Sequence, residues 1–156
     1  MRVLVWIAPG TWPAVIAAAR IRPASDEITL VATDDPAEAI PGGPLLGLMG
    51  RGRRPDATAV GLSAQAAAAL LEQASAALGR PCVTQVLTGP TERMVTAAAA
   101  DADWFIIARD GDRSRLGPHS LGRQARFIID HAPCTVELIW PESIPGLGTI
   151  PPPPQR

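Results

Sequence analysis

Five apolar runs recur along the chain, each too short for a typical helix and most of them closed by turn residues. Arg2 to Ala8 (RVLVWIA) is the first and ends at Pro9-Gly10. Glu27 to Thr33 (EITLVAT), Pro81 to Leu87 (PCVTQVL), Trp104 to Ala108 (WFIIA) and Thr135 to Trp140 (TVELIW) are the others. Such runs are largely continuous rather than alternating and rich in β-branched residues. They predict strands covered on both faces, as in parallel sheets.

Helical patterns fill the intervals. Thr11 can cap a helix over Ala14 to Arg20, with Pro13 in its first turn, where the missing N–H costs nothing. Ser63 to Leu78 is rich in Ala, Leu, Gln and Glu. Its N-cap is expected at Ser63, its C-cap at Gly79, and its apolar ladder at Leu62, Ala66, Ala69, Leu70 and Ala77. Gly89-Pro90 opens a third helix that runs through Val95 to about Ala100, with Glu92 favourable in its first turn. Ser120 is expected to cap a fourth through Asp130, with Leu121, Ala125, Ile128 and Ile129 on one face and His131 near its C-terminus. Strands alternating with helices imply right-handed βα units and one parallel sheet.

Two stretches fall outside this alternation. Residues 36–60 hold Pro41, Gly42, Gly43, Pro44 and the cluster Arg51, Arg53 and Arg54; this reads as a solvated loop or as a contact for a phosphate or an acidic partner. From Pro141 onward the chain carries Pro145, Gly146, Gly148 and four consecutive prolines, and reads as an extended tail. The division is therefore an α/β domain over 1–140 and a Pro-rich tail over 141–156.

Composition narrows the function classes. The chain has 156 residues, 47% hydrophobic and 19% charged, with net charge -1, which suits one soluble domain and argues against a nucleic-acid binder relying on overall positive charge. No apolar run approaches the roughly 20 residues of a membrane span, and Arg2 to Ala8 is too short for a signal peptide, so a cytoplasmic location is expected. All 14 basic residues are Arg. The absence of Lys, Asn and Tyr matches the codon usage of a GC-rich genome, and it removes P-loop lysine and Schiff-base chemistry. Cys82 and Cys134 are expected as buried free thiols, and no metal-ligand spacing is present.

Candidate chemistry gathers at the carboxyl ends of the strands, where open parallel sheets bind ligands. Ala8-Pro9-Gly10-Thr11, Ala32-Thr33-Asp34 and the loop from Ala108 to Arg123 qualify. That loop has glycines at 111, 117 and 122, arginines at 109, 113, 115 and 123, and leads into a helix, the composition of a phosphate site. No nucleophile elbow, zinc-protease, P-loop or dinucleotide motif is present; Gly50-Arg-Gly52 lacks a third glycine and a preceding strand. A phospho-acceptor receiver is also excluded, because the first strand ends without an acidic cluster.

The second half of the chain resembles the universal stress protein family. The resemblance rests on Thr88-Gly89-Pro90 opening a helix, on Ala102-Asp-Trp-Phe-Ile-Ile-Ala108 entering a glycine loop, and on Leu121 to Ile139 with its run His131-Ala-Pro-Cys134. It implies a three-layer α/β sandwich of Rossmann-like, adenine nucleotide alpha hydrolase-like type, with five parallel strands and about four helices. It also implies a homodimer paired through the last strand, Thr135 to Trp140. Family members bind ATP through Gly, two residues, Gly, nine residues, Gly-Ser/Thr. Here the first glycine is Ala108, the interval from Gly111 to Gly122 holds ten residues, and the hydroxyl position is Arg123. The acidic residue that commonly ends the first strand is replaced by Ala8 or Pro9.

Losing that hydroxyl and that carboxylate costs on the order of 3–6 kcal/mol, which takes a micromolar ligand towards millimolar. The resulting expectation is a non-enzymatic, regulatory, homodimeric stress-response domain with ATP binding lost or altered and no metal. Its rival is an adenine-nucleotide (ATP or AMP) sensor or weak ATPase. The nucleotide-site residues expected are Ala8, Pro9, Gly10, Thr33, Arg109, Gly111, Gly122 and Arg123. A third reading is a small-molecule binder using the apolar opening left by Ala8 and Trp12.

Overall fold

The computed structural model describes residues 1–37 and 57–155, with side chains from residue 64 in the second stretch. The arginine cluster at 51–54 and Gly50-Arg-Gly52 lie outside the described residues. In chain order the elements are β1 (Arg2–Trp6), α1 (Trp12–Arg20), β2 (Glu27–Asp34), α2 (Ala57–Leu78), β3 (Val83–Thr88), α3 (Thr91–Ala99), β4 (Trp104–Ala108), α4 (Arg123–His131) and β5 (Thr135–Ile139). All strand pairs are parallel, and the sheet order is β3-β2-β1-β4-β5.

Strand periodicity divides the core into two layers. Val3, Val5 and Ile7 turn to one face, where they pack with Val15 and Ile16 of α1 and Leu71 and Leu78 of α2. Leu4 and Trp6 turn to the other, against Val95 of α3 and Ala125 and Ile128 of α4. The middle of the sheet is covered on both sides, which is why its strands are almost wholly apolar. Phe105, Ile106 and Ile107 of β4 are fully buried, and each such side chain contributes about 1.5–3 kcal/mol.

Several boundaries differ from those read in the sequence, among them one strand end and two helix starts. β1 ends at Trp6, although the Ile7 amide still donates to the Val31 carbonyl at 2.8 Å. α2 begins at Ala57, so Ser63 lies inside it rather than at its N-cap; Gly61 costs a helix only about 1 kcal/mol relative to alanine and does not stop it. α4 begins at Arg123 with Gly122 at its N-cap, not at Ser120. Ser120 belongs to a one-turn 3-10 helix, Pro118–Ser120; its amide (3.1 Å) and hydroxyl (2.7 Å) are both tied back to the Gly117 carbonyl.

The tail is more structured than its composition suggests. It forms a one-turn 3-10 helix at Leu147–Thr149, and it is fastened to the loop after β4. Arg113 makes a two-pronged ion pair with Glu142 at 2.9 and 2.8 Å, and Thr149 Oγ1 accepts the Leu116 amide at 3.0 Å. Cys82 and Cys134 are free but half-buried rather than buried, and burial pushes the Cys134 thiol up from its ordinary pKa. Among the described residues no helix is long and apolar enough to cross a membrane.

Candidate functional site

The sheet order reverses at β1: the chain steps outward to β2 and β3, then returns to β4 and β5 on the other side. The carboxyl ends of β1 and β4 therefore diverge into different loops and leave a crevice. A cleft of about 360 Å³ opens there. Ala8 and Pro9 after β1, and Ala32 and Thr33 of β2, line it, with Leu70 of α2 opposite. Three of the four strand-end residues expected at a ligand site thus meet in one cleft: Ala8, Pro9 and Thr33. Gly10 adopts φ +81° in the turn between Pro9 and Thr11, a conformation that suits glycine. Thr33 and Thr91 share a hydroxyl hydrogen bond of 2.9 Å at the cleft wall.

Two helices begin beside this cleft, and each N-terminus is met by a carboxylate of the chain itself. Asp35 Oδ2 accepts the amide of Thr91, the first residue of α3, at 3.0 Å, while Oδ1 accepts the Ala37 amide at 3.0 Å. Asp110 Oδ1 accepts the amide of Gly122, the N-cap of α4, at 2.6 Å. Neither helix has a side-chain cap from its own N-cap residue, Pro90 or Gly122. The two aspartates supply from neighbouring loops the negative charge that the positive dipole end favours. Both line the cleft, and they are the ionisable groups among its described lining residues. Asp34 is buried just below, with Oδ1 unpaired.

The loop that carries Asp110 is closed on itself. The Gly111 amide donates to the Ser120 carbonyl at 2.9 Å and the Asp112 amide to the His119 carbonyl at 2.7 Å. A Cβ at Gly111 would come 2.3 Å from the His119 carbonyl oxygen, so glycine is required by close approach. A Cβ at Gly122 would meet the Asp110 carboxylate at 2.9 Å.

The five arginines between 109 and 126 do not line the cleft. Arg109 bonds Ser120 Oγ and lies over the Trp140 ring, 4.4 Å from its centroid. Burial depresses its pKa, and its Nε has no partner. Arg113 is held by Glu142, which raises the arginine's pKa and lowers the carboxylate's. Arg115 pairs with Asp112 at 3.2 Å; hydrogen bonds from Ser114, with Arg115 nearby, hold Asp112 below its ordinary pKa. Arg126 donates to the Pro118 carbonyl at 2.7 Å. Arg123 turns into a separate groove between α3 and α4. Of the expected loop residues, Gly111 and Gly122 build the closed turn, while Arg109 and Arg123 point elsewhere.

The residues that sequence reasoning missed are Asp35 and Asp110. Neither stands in a recognisable motif of its own stretch of sequence. Their signal was position, one just beyond β2 and one just beyond β4, at the ends where ligands bind. Among the described residues no group of three or more His, Cys, Asp or Glu could hold a metal ion.

No protein-family model matches the chain, and no curated protein matches it. Solved structures do. A universal stress protein in complex with cAMP superposes with a TM-score of 0.61 at 16% identity, over 91% of this chain and 98% of its own. The universal stress protein UspA from Lactobacillus plantarum gives 0.56 at 17% identity, over 89% and 97%. A universal stress protein family protein from Arabidopsis thaliana with AMP bound gives 0.54 at 14% identity, over 97% and 95%. Superposing with these structures over about nine-tenths of its length or more, this chain has the fold of the universal stress proteins.

Proposed function

We propose that the chain is a universal stress protein-like regulatory domain, without catalytic activity, that acts in the cytoplasm through protein contacts as a homodimer. Its cleft does not hold a nucleoside triphosphate. The observation that carries this reading is the Asp110 carboxylate on the Gly122 amide, 2.6 Å away. A phosphate group at this helix end would compete with a covalently tethered anion. Two unit charges about 4 Å apart repel by on the order of 4 kcal/mol at an effective dielectric near 20, roughly a thousandfold in affinity. Asp35 adds a second carboxylate, and no described arginine lines the cleft to offset either.

The dimer reading is supported by β5, which ends the sheet with one edge unpaired among the described strands. Its residues from Val136 to Ile139 are only half-buried, and Ile144, Leu147 and Ile150 just beyond it are exposed. An open edge beside exposed apolar side chains favours pairing with a second chain. Light scattering tests it: a mass of one chain, 16.3 kDa, at micromolar concentration rejects the homodimer.

Calorimetric titration with ATP tests the cleft, and low-micromolar affinity rejects the reading. The rival, an adenine-nucleotide sensor, draws on the cAMP and the AMP bound to two of the structural neighbours. The apolar wall of Ala8, Ala32 and Leu70 suits a base, and a monophosphate brings less charge to Asp110 than a triphosphate does. A 260 nm absorber retained on purification, or a thermal shift with AMP or cAMP, selects that reading.

A further inference from the structure

Arg123 turned away from the cleft lines a groove of about 520 Å³ between α3 and α4, together with Arg93, Arg126, Phe127 and His131. The α4 members fall at spacings of three and four, one stripe on the face opposite buried Ala125 and Ile128. Arg93, Arg123 and Arg126 are all exposed. Arg126 is anchored by the Pro118 carbonyl at 2.7 Å. Among the described residues the Arg93 and Arg123 side chains have no hydrogen-bond or ion-pair partner, although Glu92 and Asp130 border the same groove.

Arg93 and Arg123 also sit in the first turns of their helices, where a cation opposes the dipole. They oppose the dipole of each helix, and neither forms an ion pair with Glu92, Asp130 or any other described carboxylate. Beside them the His131 ring stacks on Phe127 with centroids 4.2 Å apart, and its Nδ1 donates to the Phe127 carbonyl at 2.7 Å. That pair is a fixed flat wall next to guanidinium groups, whose planar forks match carboxylate and phosphate oxygens.

We propose that this α3/α4 groove docks an anionic segment of a partner protein, its carboxylate or phosphate groups held by Arg93 and Arg123 and its chain lying along the Phe127–His131 wall. The proposal rests on the protein-contact reading above for the partner being a protein. It assigns the anion-binding surface of the chain to the groove rather than to the cleft.

The experiment is amide NMR on the full chain, titrated with a hexaglutamate peptide, its phosphoserine counterpart, a hexalysine control and inorganic phosphate. Expected are shifts confined to α3 and α4 around Arg93, Arg123 and Phe127 with one or both anionic peptides, none with hexalysine, and weakening as salt rises. The stronger of the two peptides identifies carboxylate or phosphate as the preferred group. Arg123→Gln and Arg93→Gln each weaken that binding about tenfold, the effect of one charge-assisted contact. The thermal midpoint does not fall, because neither side chain is bonded in the fold and each opposes its helix dipole.

Absence of shifts with both anionic peptides overturns the proposal, as does binding unaffected by both substitutions. Phosphate alone binding as tightly as either peptide overturns the assignment to a protein segment. Tight ATP binding with shifts at Ala8, Thr33 and Asp110 refutes the cleft reading instead and leaves the groove standing.

Discussion

The Asp110 carboxylate accepts the Gly122 amide at 2.6 Å, so the N-terminus of α4 is already occupied by an anion that the chain carries itself. Asp35 does the same for α3 through the Thr91 amide. A pair of helix ends that could receive phosphate is thereby converted into two internal caps. On the proposed reading, the same contacts that stabilise the loops also close the sites to phosphate.

Asp110→Asn separates the two effects. The amide oxygen can still accept from Gly122, but the charge is gone. Loss of a charged cap costs about 1 kcal/mol, which lowers the melting temperature by roughly 2–4 °C in a chain of this size. Affinity for ATP rises at least about tenfold once the like charge is removed. Calorimetry and thermal melts on the same preparation check both. A variant that melts lower without gaining affinity means that Asp110 is a structural cap and does not exclude phosphate.

The two loop glycines respond differently to alanine. At Gly111 the new Cβ would sit 2.3 Å from the His119 carbonyl oxygen and 2.9 Å from the Ser120 carbonyl carbon, both backbone atoms that cannot move without opening the turn. Overpacking of this kind costs about 1–3 kcal/mol or more. At Gly122 the Cβ meets the end of the Asp110 side chain at 2.9 Å, which can rotate away. Gly122→Ala is therefore milder, and unlike Asp110→Asn, which keeps the bond and loses only the charge, it displaces the carboxylate from the Gly122 amide. Urea midpoints of the two variants give the order, and a Gly111→Ala protein as stable as the parent would mean that the turn is not closed in solution.

Acid sensitivity follows from Asp103. Its carboxylate accepts from the Arg2 guanidinium at 3.0 Å and from the Arg2 backbone amide at 2.8 Å. Those bonds, with the arginine charge, hold its pKa down to about 2. In the unfolded chain an aspartate titrates near 3.9. The folded value lies lower, so this contribution is fully present above pH ~4 and is lost as pH falls towards ~2. Asp103→Asn flattens the fall in melting temperature over that window relative to the parent. An unchanged slope would place the acid sensitivity elsewhere; Asp26, Asp112 and Glu142, also depressed, are the remaining candidates.

The strands were legible because each is a local signal: an apolar run such as Trp104 to Ala108 needs no knowledge of its neighbours. The position of Ala8, Pro9 and Thr33 at one cleft was legible for the same reason, since a residue at or just past the end of a buried strand lies at the carboxyl end of the sheet whatever follows. The arginines were not. Their clustering between 109 and 126 suggested one electropositive loop, but the loop folds back and four of the five side chains are claimed by partners that spacing cannot reveal, while Arg123 turns to the α3/α4 groove. Arg113 finds Glu142, which is 29 positions away. Arg109 finds Trp140 across the end of β5. Asp35 and Asp110 escaped notice because a cap supplied from another loop leaves no capping motif at the helix itself.

The tail supplies the last test, because its composition argued for a passive terminus and its contacts do not. Thr149 Oγ1 accepts the Leu116 amide at 3.0 Å and donates to the Gly146 carbonyl at 2.7 Å, so one hydroxyl both shapes the tail's turn and fastens it to the loop after β4. That loop is the one that places Asp110 on Gly122. Thr149→Val keeps the side-chain shape and removes both bonds, at about 1 kcal/mol for each. Amide exchange at Leu116 accelerates by about tenfold. If the tail supports the closed loop, exchange at Gly122 accelerates as well, though by less, since the Arg113–Glu142 pair still holds the segment. Acceleration at Leu116 alone would mean that the tail rests on the loop without shaping it. Unchanged exchange at both would mean that the strap is not formed in solution.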